Sequence, residues 1–200
     1  MTYPPLRAVI FDLDGTLVDS RLDFAAMRRE LGAPADVGLL EYIASLSSVD
    51  AREQAMTVVQ RHEIAGAEAA CWMPGAEQAV NTLYRQGTPI AIVTRNCRPA
   101  AHLTMQRLSM PAMPLKARED AAPKPNPEAL LAIASAWGIP PPNCAYIGDF
   151  RYDIEAAERA GMMPVLYLGS DELPTEYGDR ARVLRDFSSL PTWLKRQDNA

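Results

Sequence analysis

Short apolar runs recur along the chain, and each is followed by polar or turn-forming residues. Their length and their β-branched content are typical of strands buried on both faces of a parallel sheet. The pattern therefore predicts four strands, with a weaker fifth near the carboxyl terminus. The predicted strands are residues 6–11, 89–94, 144–148 and 164–168, and the fifth candidate is 182–184.

Apolar residues at helical spacing occupy the intervals between these strands. The clearest helix covers 130–137, with Asn126 and Pro127 at its start and Gly138 at its end. Others are predicted over 76–84, 102–108 and 151–160. Strand and helix alternate from residue 75 onward, which predicts an α/β fold with a doubly wound parallel sheet and helices on both faces.

Residues 20–73 break this alternation, because they contain three helical patterns and no good strand. The patterns cover about 24–31, 39–43 and 50–65. We therefore expect a small all-helical cap, residues 20–73, inserted after the first strand. The α/β core would comprise 1–19 and 74–200.

Charge and cysteine content narrow the classes of partner. The net charge of −5 provides no broad positive field for nucleic acid or an anionic membrane. Cys71, Cys97 and Cys144 form neither a metal-ligand pattern nor an even disulfide set, so buried thiols in a reducing cytosol are expected. No apolar run near the amino terminus is long enough for a signal peptide or a membrane span. We expect a cytoplasmic protein, monomeric or homodimeric, that binds a small molecule.

The first candidate site follows the first strand directly. Asp12 and Asp14 are two residues apart, so both carboxylates can face one reaction centre from the end of a strand and its turn. Gly15 allows a sharp bend and a close approach of phosphate to the backbone, and Thr16 offers a hydroxyl and an amide. A carboxylate nucleophile beside a second carboxyl group is suited to covalent phosphoryl transfer. The alternative is an Asp pair that only caps a turn.

Two further segments offer groups that bind anions. Thr94 ends the second strand and precedes Arg95 and Asn96, although a threonine there is often only part of a turn. Lys124 lies between two prolines, which restrict the backbone around it. A lone lysine in a loop is usually solvated, but this rigid setting favours a functional role.

The last candidate segment follows the third strand. Asp149 ends that strand and Asp153 lies four residues later, where helix capping is the alternative role. Ligands of open α/β sheets bind at the carboxyl ends of the strands, where all these segments lie. Two like charges 4 Å apart repel by about 4 kcal/mol at an effective dielectric near 20. Four converging Asp carboxylates therefore need cations, and oxygen-only ligands favour Mg²⁺.

Three stretches resemble the haloacid dehalogenase superfamily of hydrolases. They are VIFDLDGTLVDS at 9–20, KPNPEALL at 124–131 and IGDFRYDIEAAERAGM at 147–162, in the order and spacing of that superfamily. The helical insert is similar to the cap of phosphoglycolate-phosphatase-like members. The resemblance implies a Rossmann-like core and hydrolysis of a small phosphorylated metabolite with Mg²⁺ as cofactor.

The resemblance also implies roles for the candidate residues. Asp12 would attack phosphorus and Asp14 would act as acid and base. Thr94 would bind the transferring phosphoryl group, and Lys124 would steady the nucleophile and the phosphate. Mg²⁺ would bind Asp12, Asp149 and the main-chain carbonyl of Asp14, with Asp153 acting directly or through water. The remaining candidate substrate contacts are Gly15, Thr16, Arg95 and Asn96.

Two departures and two alternatives accompany this interpretation. Arg95 stands where many relatives of this cap type carry Asn, and it either contacts phosphate or points to solvent. The cap is short, which puts a substrate as small as phosphoglycolate in doubt. A phosphomutase would pass the phosphoryl group between substrate hydroxyls, and a non-catalytic phosphate-binding switch would not turn over at all.

Overall fold

The computed structural model describes residues 4–169, 177 and 180–195. Six strands form one parallel sheet in the order β5-β4-β1-β6-β7-β8, and two short strands form an antiparallel pair, β2-β3. The strands are β1 (Ala8–Phe11), β2 (Val18–Asp19), β3 (Cys71–Trp72), β4 (Ile90–Val93), β5 (Leu115–Lys116), β6 (Cys144–Gly148), β7 (Met163–Tyr167) and β8 (Arg182–Leu184).

Helices flank the sheet and form the segment between β2 and β3. They are α1 (Phe24–Leu31), α2 (Leu39–Ser45), α3 (Val49–Ala69), α4 (Ala76–Arg85), α5 (Arg98–Arg107), α6 (Glu128–Trp137), α7 (Arg151–Ala160) and α8 (Leu190–Lys195). Among the described residues, no helix is both long and apolar enough to cross a membrane.

The central strand β1 is apolar throughout because both of its faces are covered. Val9 and Phe11 pack in one buried cluster with residues of α4. Ala8 and Ile10 pack in a second cluster on the other face, with residues of α6 and α7. Successive side chains of a strand point to opposite faces, so helices on both sides of the sheet bury all four residues. The predicted doubly wound parallel α/β fold is confirmed.

The differences from the predicted elements are local. The segment 20–73 does contain a strand, because Cys71–Trp72 pairs antiparallel with Val18–Asp19, and the expectation of none was wrong. The strand β5 was missed. Helix α5 begins at Arg98, four residues before the predicted start at 102, with a proline in its first turn. Cys97 and Cys144 are buried as expected, but Cys71 is exposed.

The three helices predicted for residues 20–73 are present as α1, α2 and α3, and the short β2-β3 pair joins the two ends of this segment. The division into a core of 1–19 and 74–200 and a cap of 20–73 stays a prediction.

Candidate active site

Three adjacent strands of the sheet end in polar residues at the same edge. The order β4-β1-β6 places Asp12, which follows β1, between Thr94, which follows β4, and Asp149, which follows β6. The backbone N–H of Asp12 donates to the carbonyl of Ile147 at 2.8 Å, and that of Thr94 donates to the carbonyl of Lys116 at 2.9 Å. Both residues thus continue the sheet pairing, which fixes their backbone directions.

The turn after Asp12 depends on a glycine. Gly15 has a φ of +82°, and a Cβ built there would lie 2.3 Å from Oδ2 of Asp149. Both its conformation and its surroundings therefore require glycine. Thr16 is buried, and its hydroxyl donates to Oδ1 of Asp149 at 3.2 Å. The turn brings the first and last sequence motifs into contact.

Asp14 is held by one oxygen only. The side-chain amide of Asn96 donates to its Oδ2 at 2.9 Å. Its Oδ1 is buried and accepts no hydrogen bond from any described residue. Asp14 therefore has one carboxyl oxygen without a hydrogen-bond partner among the described residues.

The hydroxyl oxygen of Thr94 accepts the backbone N–H of Asn96 at 3.0 Å, so the hydroxyl proton of Thr94 is not used in that bond.

Lys124 forms hydrogen bonds to one residue of the first motif and one residue of the last motif. Its Nζ donates to Oδ1 of Asp12 and to Oδ1 of Asp153, both at 2.6 Å. Only 6% of Lys124 is exposed, so its charge is paired inside the protein, as a buried charge must be. The pKa of Lys124 lies above its usual value because Asp12 and Asp153 outweigh the lowering effect of burial.

Tyr146 also belongs to this network, and it is not among the residues that the sequence predicted for the site. The residue is fully buried in β6, and its hydroxyl lies 2.9 Å from Nζ of Lys124. The same hydroxyl lies 3.0 Å from the carbonyl oxygen of Val93 and 3.0 Å from Oδ1 of Asp153. Burial, followed by the charges of Asp153 and Asp12, raises its pKa well above the usual value. The only sequence signal is one hydroxyl in an apolar strand, CAYIG.

Three carboxylates converge beside this network. One carboxyl oxygen from each of Asp12, Asp149 and Asp153 lies within 4.8 Å of the others. Burial raises the pKa of Asp12 well above its usual value; Lys124 opposes this, and Asp153 and Asp149 add to it. Burial and the charge of Asp153 raise the pKa of Asp149 to about 6.

The chemistry of this donor set fits a magnesium ion. All three groups are carboxylate oxygens, and their repulsion would be relieved by a divalent cation. Asp153 is the most fully hydrogen-bonded of the three carboxylates. Its Oδ1 faces Lys124 and Tyr146, and its Oδ2 accepts the N–H of Phe150 at 3.0 Å. The side chain of Asp14 is not part of the converging set.

Two ion pairs connect the cap to the core beside the site, and neither was foreseen. Glu63 of α3 is buried and bonds Arg118 through both oxygens, at 2.6 and 3.0 Å. At the rim, Nη2 of Arg95 donates to Oε1 of Glu41 on α2 at 2.6 Å. The guanidinium of Arg95 also lies 4.7 Å from the ring centre of Tyr152. Arg95 therefore does not point freely to solvent, and its proposed phosphate contact stays a prediction.

A cavity of about 610 Å³ lies between the carboxylates and the cap. Asp12, Asp14, Thr94, Lys124 and Asp149 line its inner end, together with the other predicted site residues except Thr16. The fold thus brings the predicted residues of all the sequence motifs to one enclosed place.

Comparisons of this chain with known proteins agree on one family of hydrolases. A family model described as haloacid dehalogenase-like hydrolase matches residues 6–161. A haloacid dehalogenase-like hydrolase domain-containing protein of Arabidopsis thaliana is 34% identical, over 80% of this chain and 70% of its own. A phosphoglycolate phosphatase of Xylella fastidiosa is 31% identical, over 81% of this chain and 80% of its own. The solved structure of a hydrolase from Pseudomonas syringae, 25% identical, superposes with a TM-score of 0.77 over 95% of this chain and 98% of its own.

Proposed function

Because this chain belongs to the haloacid dehalogenase-like hydrolase family, we propose that it is a Mg²⁺-dependent phosphatase acting on a phosphomonoester of a small metabolite. Relatives described as phosphoglycolate phosphatases support phosphatase activity. The observation that carries the proposal is the placement of Asp12, which pairs with Lys124 at 2.6 Å and lines the same cavity as Asp14. The cytoplasmic location expected from the sequence is part of the same proposal.

Asp12 is the nucleophile in this proposal. Its Oδ1 accepts from Lys124, which leaves Oδ2 to attack phosphorus. A bond forms between Oδ2 and phosphorus while the bond from phosphorus to the ester oxygen breaks, giving an aspartyl phosphate and an alcohol. Lys124 orients Asp12 and balances the negative charge on the transferring group.

Asp14 moves the proton in both half-reactions. Asn96 holds its Oδ2, so Oδ1 delivers a proton to the departing ester oxygen. The carboxylate then takes a proton from water, whose oxygen attacks phosphorus and breaks the bond to Asp12. Free phosphate leaves, and Asp14 is again protonated for the next turnover.

The phosphoryl oxygens bind at the strand ends. The hydroxyl of Thr94 donates to one of them, because its own oxygen already accepts from the Asn96 backbone. The backbone amide of Thr16 provides a further donor, whereas that of Gly15 already donates to the carbonyl of Val18 at 2.8 Å. Arg95, paired with Glu41, lies outside this cradle and contacts the remainder of the substrate.

Asp12, Asp149 and the main-chain carbonyl of Asp14 would hold the Mg²⁺. Asp153 would act on the ion through a water molecule, because both of its oxygens already accept hydrogen bonds from protein groups. When bound, the ion polarises the phosphoryl oxygens and neutralises charge that develops during transfer. Thr16 keeps Asp149 in place through its hydroxyl.

The test is phosphate release from 4-nitrophenyl phosphate in the presence of Mg²⁺. Asp12→Asn should lose at least about 10³-fold in kcat, as is usual for a nucleophile. Asp23→Asn is the matched control, because Asp23 caps α1 at an exposed position and should leave kcat unchanged. Chelation with EDTA should abolish turnover, and added Mg²⁺ should restore it. Turnover retained by Asp12→Asn would remove Asp12 as nucleophile, and turnover in EDTA would remove the metal.

A further inference from the structure

The cavity is large for a two-carbon substrate. Pockets of roughly 300–1,000 Å³ hold drug-sized ligands, and this one measures about 610 Å³. A phosphoryl group at the strand ends occupies only its inner part. The space between that group and the cap therefore belongs to the alcohol part of the substrate.

Apolar side chains make up much of the cap side of this space. Phe24 at the start of α1 and Val37 before α2 line the cavity and are 54% and 38% exposed. Leu22 and Leu40 line it beside them. Apolar side chains that stay accessible at the wall of a cavity are the usual means of binding an apolar ligand group.

The arginines of the cavity wall are already engaged. Arg28 donates to the carbonyl oxygen of Val37 at 2.7 Å and also to that of Pro34. Arg95 is paired with Glu41, as described above. A substrate carboxylate would compete with Glu41 and these carbonyl oxygens for the positive charge, whereas an uncharged group would not.

The other two arginines lining the cavity, in the part of the chain that the structure describes, also contact groups of the protein itself. The backbone N–H of Arg21 donates to Asp19, and its side chain lies 3.9 Å from the same carboxylate. The guanidinium of Arg151 lies 4.9 Å from the ring centre of Tyr152. Asp36 adds a negative charge to the lining. The wall thus combines apolar surface and acidic groups with arginines that already contact groups of the protein.

We infer that the preferred substrate is a phosphomonoester whose alcohol part is uncharged, mainly apolar and at least the size of a ring. A short phosphorylated acid such as phosphoglycolate is then a poor substrate. This inference rests on the proposed phosphatase function and adds the class of the substrate.

The test is a series of alkyl phosphates with phosphoglycolate beside them. The alcohols released from ethyl, butyl and hexyl phosphate differ little in acidity, so their rates compare binding rather than chemical reactivity. Each methylene buried against the cap should raise kcat/KM by about fourfold. Hexyl phosphate should therefore exceed ethyl phosphate by about 100-fold or more and should exceed phosphoglycolate by at least as much.

Variants of the apolar residues that line the cavity test whether these residues cause the preference for longer alkyl groups. Phe24→Ser and Val37→Ser should each reduce the ratio of hexyl to ethyl phosphate about 10-fold. Val49→Ser is the matched control, because Val49 is 57% exposed on the cap but does not line the cavity. Its ratio should equal that of the unmodified protein.

The outcomes separate this inference from the function on which it rests. A kcat/KM higher for phosphoglycolate than for hexyl phosphate would overturn the inference and leave the phosphatase standing. A ratio unaffected by Phe24→Ser and Val37→Ser would likewise overturn it. Absence of turnover with every phosphomonoester, 4-nitrophenyl phosphate included, would overturn both.

Discussion

Replacing Tyr146 with phenylalanine removes one oxygen atom from the buried network behind the nucleophile. That oxygen lies 2.9 Å from Nζ of Lys124 and 3.0 Å from the carbonyl oxygen of Val93. The ring remains, so the packing around it changes little. The ammonium of Lys124 loses one acceptor, and the carbonyl of Val93 loses its hydroxyl donor.

The expected cost follows from the charge of Lys124. Hydrogen bonds to charged groups contribute roughly 1.5–3 kcal/mol to stability, and Tyr146 is completely buried. We expect Tyr146→Phe to lower the free energy of unfolding by about 2 kcal/mol. We expect kcat to fall about 10-fold, which corresponds to about 1.4 kcal/mol, because Lys124 is less firmly aimed at Asp12. The KM should stay near its original value, since the hydroxyl lies behind Lys124 and away from the substrate.

Urea denaturation followed by circular dichroism measures the first quantity, and steady-state kinetics with 4-nitrophenyl phosphate measures the others. Tyr42→Phe is the control, because its hydroxyl donates to the neutral carbonyl of Leu31 at 3.3 Å, away from the site. It should cost about 1 kcal/mol or less and leave kcat unchanged. If Tyr146→Phe matched this control in both stability and kcat, the hydroxyl would have no role in holding Lys124.

Three other outcomes follow from the same geometry. Gly15→Ala should weaken Mg²⁺ binding by at least about 10-fold, roughly 1.4 kcal/mol, because the added Cβ meets Asp149. Gly32→Ala is the control: Gly32 has a φ of +63° and open space around it, so this variant should affect stability alone. Equal Mg²⁺ affinities of the two variants would contradict this. Glu63→Gln should lower the free energy of unfolding by about 3 kcal/mol, since it removes the negative charge that pairs with the largely buried Arg118; a chemical denaturation midpoint that did not move would refute it. The pKa of Asp149 near 6 means that Mg²⁺ must displace at least one proton at lower pH, because the pKa of Asp12 is raised as well. The Kd for Mg²⁺, measured by calorimetry without substrate, should therefore rise by at least about 10-fold per pH unit below about pH 6; a Kd independent of pH there would contradict it.

The parts of the site that the sequence predicted are those marked by local pattern. Three of the apolar runs ended in or were followed by a polar residue, and the carboxyl ends of parallel strands share one edge of a sheet. That rule was sufficient to expect Asp12, Thr94 and Asp149 together. The order of the strands, with β1 between β4 and β6, decided how close they lie.

The features that were not predicted have no signal in the sequence around them. The strands β2, β3 and β5 have two residues each, which is too short for a hydrophobic period to appear. Tyr146 lies inside an apolar run, where an aromatic residue normally indicates packing alone. Glu63 and Arg118 are 55 residues apart, and only the docking of α3 against the core joins them.

The central claim is that Asp12 itself receives the phosphoryl group. Asp14→Asn removes the base that hydrolyses the intermediate, whereas 4-nitrophenolate departs without needing a proton. Mixing this variant with 4-nitrophenyl phosphate and Mg²⁺, quenching in acid and mapping the peptides by mass spectrometry should therefore find the phosphoryl group on Asp12. Release of 4-nitrophenolate with the phosphoryl group on another residue, or on none, would contradict the account.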